Sequence, residues 1–162
     1  MKANGIKAVR PLEGEYMAEN LANKEWEPKF VAIVCNWCTY AGADLAGISR
    51  IQYPTNVRII RVPCTGRINP FYIVKALQTG ADGVLVSGCH PGECHYTSGN
   101  LVARRKFATL KSFLNYIGVE GDRTIFTWVS ASEGDRWAQV IKGATEKIKA
   151  LGPANKLIKK IN

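Results

Sequence analysis

Nowhere in the 162 residues does an apolar run approach the roughly 20 residues that a membrane-spanning helix needs. The first residues, with Lys2, Lys7, Arg10 and the acids Glu13 to Glu27, contain no apolar stretch of the kind that directs export. A cytoplasmic protein with no membrane partner is expected. Several catalytic signatures are missing as well. There is no Gly-x-Gly-x-x-Gly, no phosphate-cradling loop ending in Gly-Lys-Ser/Thr, no nucleophile elbow and no acid–base dyad. Such a chain lacks the parts to run a substrate reaction alone. An electron relay needs none of them.

Acidic residues are scarce: 13 Asp and Glu face 22 Lys and Arg, for a formal net charge of +9. Residues 1–29 are balanced, so the excess lies beyond them, much of it in Lys142, Lys147, Lys149, Lys156, Lys159, Lys160 and Arg104-Arg105-Lys106. No helix-turn-helix, RNA-binding or finger motif accompanies the charge, so no nucleic-acid partner is expected. The basic surface keeps the protein soluble or meets an acidic partner.

The length fits one domain that buries about two-thirds of its unfolded surface. Residues 1–28 are polar, broken by Gly5, Pro11, Gly14 and Pro28, and read as an arm outside the core, with a short helix conceivable across Tyr16 to Lys24. The core is expected over 29–152 and a basic tail over 153–162. Within the core, Phe30 to Val34 is a continuous apolar strand of the kind buried on both faces. A helix through Ala43 to Arg50 follows. The second strand, 57–62, alternates arginine with aliphatic residues, which suits an edge strand with one wet face. Asn69 and Pro70 open the next helix as cap and first residue. A third strand covers 83–87, and Ser98 or Asn100 starts a long helix to about Ile117. The fourth strand spans 124–129, and a last helix runs from Ser132 or Glu133 to Gly152-Pro153. Four alternations of strand and helix predict a single-domain α/β fold: a flavodoxin-like, doubly wound parallel sheet of about four strands with flanking helices.

All five cysteines stand at the ends of the first three strands. Cys35 and Cys38 follow the first, Cys64 the second, Cys89 and Cys94 the third. In an open parallel sheet those ends share one edge, where ligands bind. Disulfides are rare in a reducing compartment, so five clustered thiols point to metal or redox chemistry. A thiolate-rich site selects zinc, copper(I) or an iron–sulfur cluster. The glycines of these loops free backbone amides to approach sulfide, which suits a cluster. A structural zinc ribbon would need a second close Cys-x-x-Cys, which is missing. The alternatives are a thiol–disulfide oxidoreductase built on Cys35 and Cys38 or a zinc-binding structural module. His90 and His95 are read as supporting donors or loop residues. Trp37 either shields a cluster or simply packs. Cys35, still within the strand end, is expected to turn its side chain toward the core.

Four motifs carry a resemblance. They are Cys35-Asn36-Trp37-Cys38-Thr39-Tyr40-Ala41-Gly42-Ala43-Asp44, Ile59 to Arg67, Gly88-Cys89-His90-Pro91-Gly92-Glu93-Cys94-His95-Tyr96, and Trp128-Val129-Ser130-Ala131-Ser132-Glu133-Gly134. Over about residues 29–152 the chain resembles the delta subunit of methyl-viologen-reducing hydrogenase, the small iron–sulfur subunit found with heterodisulfide reductase. The resemblance implies an electron-transfer subunit with one [2Fe-2S] cluster. It also implies a hetero-oligomeric, electron-bifurcating complex. The electrons would pass from a hydrogenase or formate dehydrogenase module to the flavin-bearing A-subunit of heterodisulfide reductase. Four of Cys35, Cys38, Cys64, Cys89 and Cys94 would hold the cluster, and all five remain candidates.

Overall fold

The computed structural model describes residues 26–157. The arm over 1–28, including the conceivable helix at Tyr16–Lys24, lies almost wholly outside the described residues, as do Lys159 and Lys160.

Four parallel strands form one sheet: β1 (Phe30–Cys35), β2 (Val57–Val62), β3 (Gly83–Gly88) and β4 (Thr124–Trp128), in the order β2-β1-β3-β4. The first strand is central, which is why its run of apolar side chains alternates between two cores. Phe30, Ala32 and Val34 join Leu85 on one face, while Ile33 joins Val84 and Val86 on the other. The first face is covered by α1 (Thr39–Ile48) and α4 (Gly134–Leu151), through Ala43, Ala46, Trp137, Ile141 and Ile148. The second is covered by α2 (Pro70–Gln78) and α3 (Gly99–Tyr116), through Ile73, Leu77, Phe107, Leu110 and Leu114. This is the flavodoxin-like arrangement expected from the sequence.

Two elements differ in detail. The first helix begins at Thr39, four residues before its expected start at Ala43, because it grows directly from the Cys35–Cys38 turn. The second strand is wet on both faces: Ile59 and Ile60 are both exposed. It is the sheet edge, and Arg58 and Arg61, three positions apart, put one charged side chain on each face. The cap at Asn69 forms as its residue type requires, its side chain accepting a hydrogen bond from the Phe71 amide at 3.0 Å.

The end of the sheet opposite the cysteines is held by two buried ionic side chains. Asp82, just before β3, accepts from the backbone amides of Lys29 at 2.8 Å and Ala154 at 2.9 Å. One carboxylate thus ties both ends of the fold. Arg123 donates to the carbonyls of Asp82 and Gly152 at 3.1 and 2.8 Å and pairs with Glu120 at 3.0 Å. Lys156 and Arg123 hold the Glu120 carboxyl down from 4.5 to about 2. Lys111 and Lys147 do the same for Asp122, from 3.8 to about 2.

Hydrogen bonds to a charged group are worth about 1.5–3 kcal/mol each. Asp82→Ala is therefore expected to lower stability by roughly 3 kcal/mol, seen as a lower urea midpoint at unchanged slope. The depressed carboxyls stabilise the fold fully above the unfolded-state values and lose that contribution as pH falls from about 4.5 towards 2. Both side chains are part-exposed, so screening weakens the effect. Replacing Glu120 with Gln should flatten the stability curve over that acid window while leaving its shape near neutrality unchanged.

Candidate metal centre

β1 ends on Cys35, and the Asn36-Trp37-Cys38 turn feeds α1. β3 ends on Gly88, and Cys89 follows at once. Because β1 pairs directly with both β2 and β3 in parallel register, the three strand ends are nearly flush. Cys35 Sγ lies 3.6 Å from Cys89 Sγ, and the Cys38 amide donates to Cys35 Sγ at 3.4 Å. The sulfurs of Cys35, Cys38 and Cys89 all lie within 4.8 Å of one another. Two thiolates sharing one tetrahedral metal, with bonds of about 2.3 Å, sit roughly 3.8 Å apart, so this spacing suits a shared metal. Cys35 does point inward, as expected, and is buried; its sulfur is also part of the convergent group. Beneath it, the buried hydroxyls of Thr39 and Ser87 share a hydrogen bond of 3.1 Å.

Cys64 and Cys94 form a second pair against the start of α3. Cys64 precedes the 3-10 turn Thr65–Arg67, and Cys94 sits in the loop that follows Cys89. Both sulfurs face Gly99, the first residue of α3. A Cβ on Gly99 would collide with Cys64 Sγ and lie 3.5 Å from Cys94 Sγ. Gly66 and Gly99 also touch backbone to backbone, since a Cβ on Gly66 would lie 2.8 Å from the Gly99 Cα. The two loops approach this closely only because neither carries a side chain there.

Burial dominates the electrostatics. It pushes the thiols of Cys38, Cys64 and Cys89 above their ordinary value, Cys89 most of all. Burial also works against a thiolate at Cys94, yet amide donors from Asn100, Tyr96 and Gly99 bring that thiol below its ordinary value. A charge on Cys94 disfavours one on Cys38, and Cys35 acts likewise on Cys64. The triad and the pair thus lie within electrostatic reach of one another.

The surrounding shell is polar and specific. Asn100 is buried and donates to the carbonyls of Cys89 at 3.0 Å and His90 at 2.7 Å. His90 Nε2 and Glu133 Oε2 are 2.7 Å apart, and the same carboxylate accepts from the Ser130 amide at 2.7 Å. This pins the β3–α3 loop to the β4–α4 loop and holds the Glu133 carboxyl low, chiefly through the Ser130 amide and then His90. His95 stacks on Trp37 at 3.8 Å, with its edge toward Tyr96 at 5.0 Å. Among the described residues neither histidine joins the sulfur group. Arg67 and Arg105 face solvent, while Arg104 lies over the Trp128 ring at 5.7 Å.

Sequence reasoning overlooked the roles of Asn100 and Glu133. Both were visible only as helix-start residues, and their partners are loops remote in sequence. Ser87 and Thr39 carried no signal at all.

Residues 30–152 match the family described as methyl-viologen-reducing hydrogenase, delta subunit. The chain belongs to this family. It is 51% identical over 137 residues to the F420-non-reducing hydrogenase vhc iron-sulfur subunit of Methanococcus voltae, covering 85% of this chain and 92% of that protein. It is 50% identical over 131 residues to the F420-non-reducing hydrogenase iron-sulfur subunit of Archaeoglobus profundus, covering 81% and 96%. It is also 45% identical over 139 residues to the A-subunit of the ferredoxin:CoB-CoM heterodisulfide reductase of Methanosarcina mazei, covering 86% of this chain and 18% of that much longer protein. Family members thus exist both as free-standing subunits and as segments of larger chains.

Gly99→Ala is expected to displace Cys64 or the start of α3. Overpacking of this kind typically costs about 1–3 kcal/mol. Thermal unfolding should show the loss, and alkylation mapped by mass spectrometry should show Cys64 and Cys94 reacting faster relative to Cys89. An unchanged melting point would contradict the close approach.

Proposed function

We propose that this chain is an electron-transfer subunit in which four of Cys35, Cys38, Cys64, Cys89 and Cys94 hold a [2Fe-2S] cluster. The observation that carries the reading is the meeting of the Cys35, Cys38 and Cys89 sulfurs within 4.8 Å of one another, with Cys64 and Cys94 paired against Gly99 on the same sheet edge. The donor set is soft, and backbone amides reach the sulfurs from Cys38, Gly66, Tyr96, Gly99 and Asn100. When bound, such a cluster supplies a one-electron couple. The protein's own part is to fix the thiolates, supply the amide donors and keep water from the buried sulfurs. A dithiol oxidoreductase would need one accessible attacking thiol and would leave Cys64, Cys89 and Cys94 without a purpose.

The relay would run between a hydrogenase or formate dehydrogenase module and the flavin-containing A-subunit of heterodisulfide reductase, in an electron-bifurcating complex. The names of the relatives support this. Two are iron-sulfur subunits of hydrogenases, and a third is the heterodisulfide reductase A-subunit itself. The working domain is proposed as residues 29–152, with 1–28 as an arm and 153–162 as a basic tail; the hydrogen bond of Asp82 to Lys29 supports the first limit, whereas Ala154, buried and held by the same carboxylate, carries the packed chain past the second. Among the described residues no helix is long and apolar enough to cross a membrane. A cytoplasmic location is part of the proposal.

Protein purified without oxygen should carry about two iron and two labile sulfide per chain and give an electron paramagnetic resonance signal after reduction. Serine placed at each cysteine in turn should perturb the cluster at four positions and spare it at one. Stoichiometric zinc without sulfide would end the proposal.

A further inference from the structure

We infer that the chain meets the heterodisulfide reductase A-subunit through the aromatic cap formed by Trp37, His95 and Tyr96. The inference rests on the electron-transfer reading above and adds the surface through which it operates. Trp37 lies between Cys35 and Cys38, and His95 and Tyr96 directly follow Cys94. The cap is therefore the exposed surface joined most directly to the sulfurs. Trp37 is 45% and Tyr96 51% exposed, which leaves two large aromatic faces in water. They are already ordered by the Trp37–His95 stack and the His95–Tyr96 edge contact. Rigid exposed Trp and Tyr are the residues that dominate protein interfaces, since little side-chain entropy remains to be lost on binding.

The backbone beneath the cap supports the same conclusion. Thr97 has φ of +69°, a conformation unfavourable for a β-branched residue and found mainly where function requires it. That turn sends Tyr96 outward while its amide faces Cys94. Beside Tyr96 opens a groove of about 600 Å³, walled by Pro63, Cys64, Arg67 and Val102. A partner side chain seated there would reach a sulfur-bearing residue and meet the solvent-facing guanidinium of Arg67.

The choice of occupant follows from the fused relatives. In Methanosarcina mazei and Methanosarcina acetivorans this domain matches 18% and 17% of the heterodisulfide reductase A-subunit. A domain found both free and joined to that larger chain has reason to keep a surface that fits the remainder of it. Another apolar patch, around Phe113 and Tyr116, sits at the far end of α3, about 25 Å along the helix from Gly99 and too remote from the sulfurs to serve that contact. The exposed Ile48, Ile59, Ile60, Phe71 and Tyr72 belong to α1, β2 and α2, and none adjoins a cysteine in the chain as Trp37 and His95 do.

The experiment titrates the anaerobically purified full chain, with its cluster, against the heterodisulfide reductase A-subunit. Trp37→Ala and Tyr96→Ala should each weaken binding by at least about tenfold, as truncation of interface aromatics does. Iron, sulfide and the resonance signal should be retained, and Phe113→Ala should bind like the unaltered chain. Oxidative footprinting of the unaltered pair should show Trp37 and Tyr96 protected in the complex. Undiminished binding by both cap variants, protection confined to the Phe113 patch, or equal reactivity of Trp37 and Tyr96 free and bound would each overturn the inference. Should Trp37→Ala disturb the cluster, the footprint and Tyr96→Ala decide. A chain without iron sinks the electron-transfer reading instead, and the footprint separates the two failures.

Discussion

The contact between Gly66 and Gly99, two backbones touching with no side chain between them, sets the spacing on which the sulfur edge depends. Parallel register brings the ends of β1, β2 and β3 level, and this alone gathers Cys35, Cys38 and Cys89. Cys64 and Cys94 arrive by a different route. Their loops close on the start of α3, where any Cβ at either glycine would wedge them apart. The sheet thus supplies three thiols through topology, and the loops supply two through the absence of side chains. Lys106 strengthens the second arrangement by donating to the Gly66 carbonyl at 2.8 Å from the next turns of the same helix.

The two ends of the sheet divide the labour. At one end Asp82 and Arg123 satisfy backbone amides and carbonyls, and their hydrogen bonds are complete. That end holds the fold together. At the other end the groups are individually unfavourable: buried thiols, a left-handed threonine and aromatic rings in water. Doubly wound sheets place ligands at the carboxyl ends of their strands, and the strain gathers at that end here too.

Much of this was legible from the sequence because it depends on local patterns. The buried run 30–34, the cap at Asn69-Pro70 and the helix stop at Gly152-Pro153 each follow from residues within a few positions of one another. The strand order was implied by the flavodoxin-like class, in which the first strand lies between the second and third, and the sheet has that order. Exposure of β2 was expected of one face only, although Arg58 and Arg61 stand three positions apart and therefore on opposite faces of the strand. Asn100 and the His90–Glu133 pair were not legible. Those interactions join loops across 10 and 43 positions, and a lone Asn or Glu near a helix start has an adequate local explanation.

The electrostatics explain why a metal-free thiol cluster is an incomplete description of this edge. Burial raises the thiols of Cys38, Cys64 and Cys89, so without a cation they stay protonated and uncharged. Protonated thiols are weak donors and weaker acceptors, and several packed together gain little from one another. Amides aimed at Cys94 nevertheless favour a negative sulfur there. Those amides would be poorly used by a neutral thiol. A soft cation changes the balance, because thiolates bound to it gain charge compensation inside the protein and the amide donors then face real negative charge. The same shell that penalises free thiolates would hold a thiolate-ligated cluster well, which is the physical reason to prefer a resident metal over a reactive dithiol.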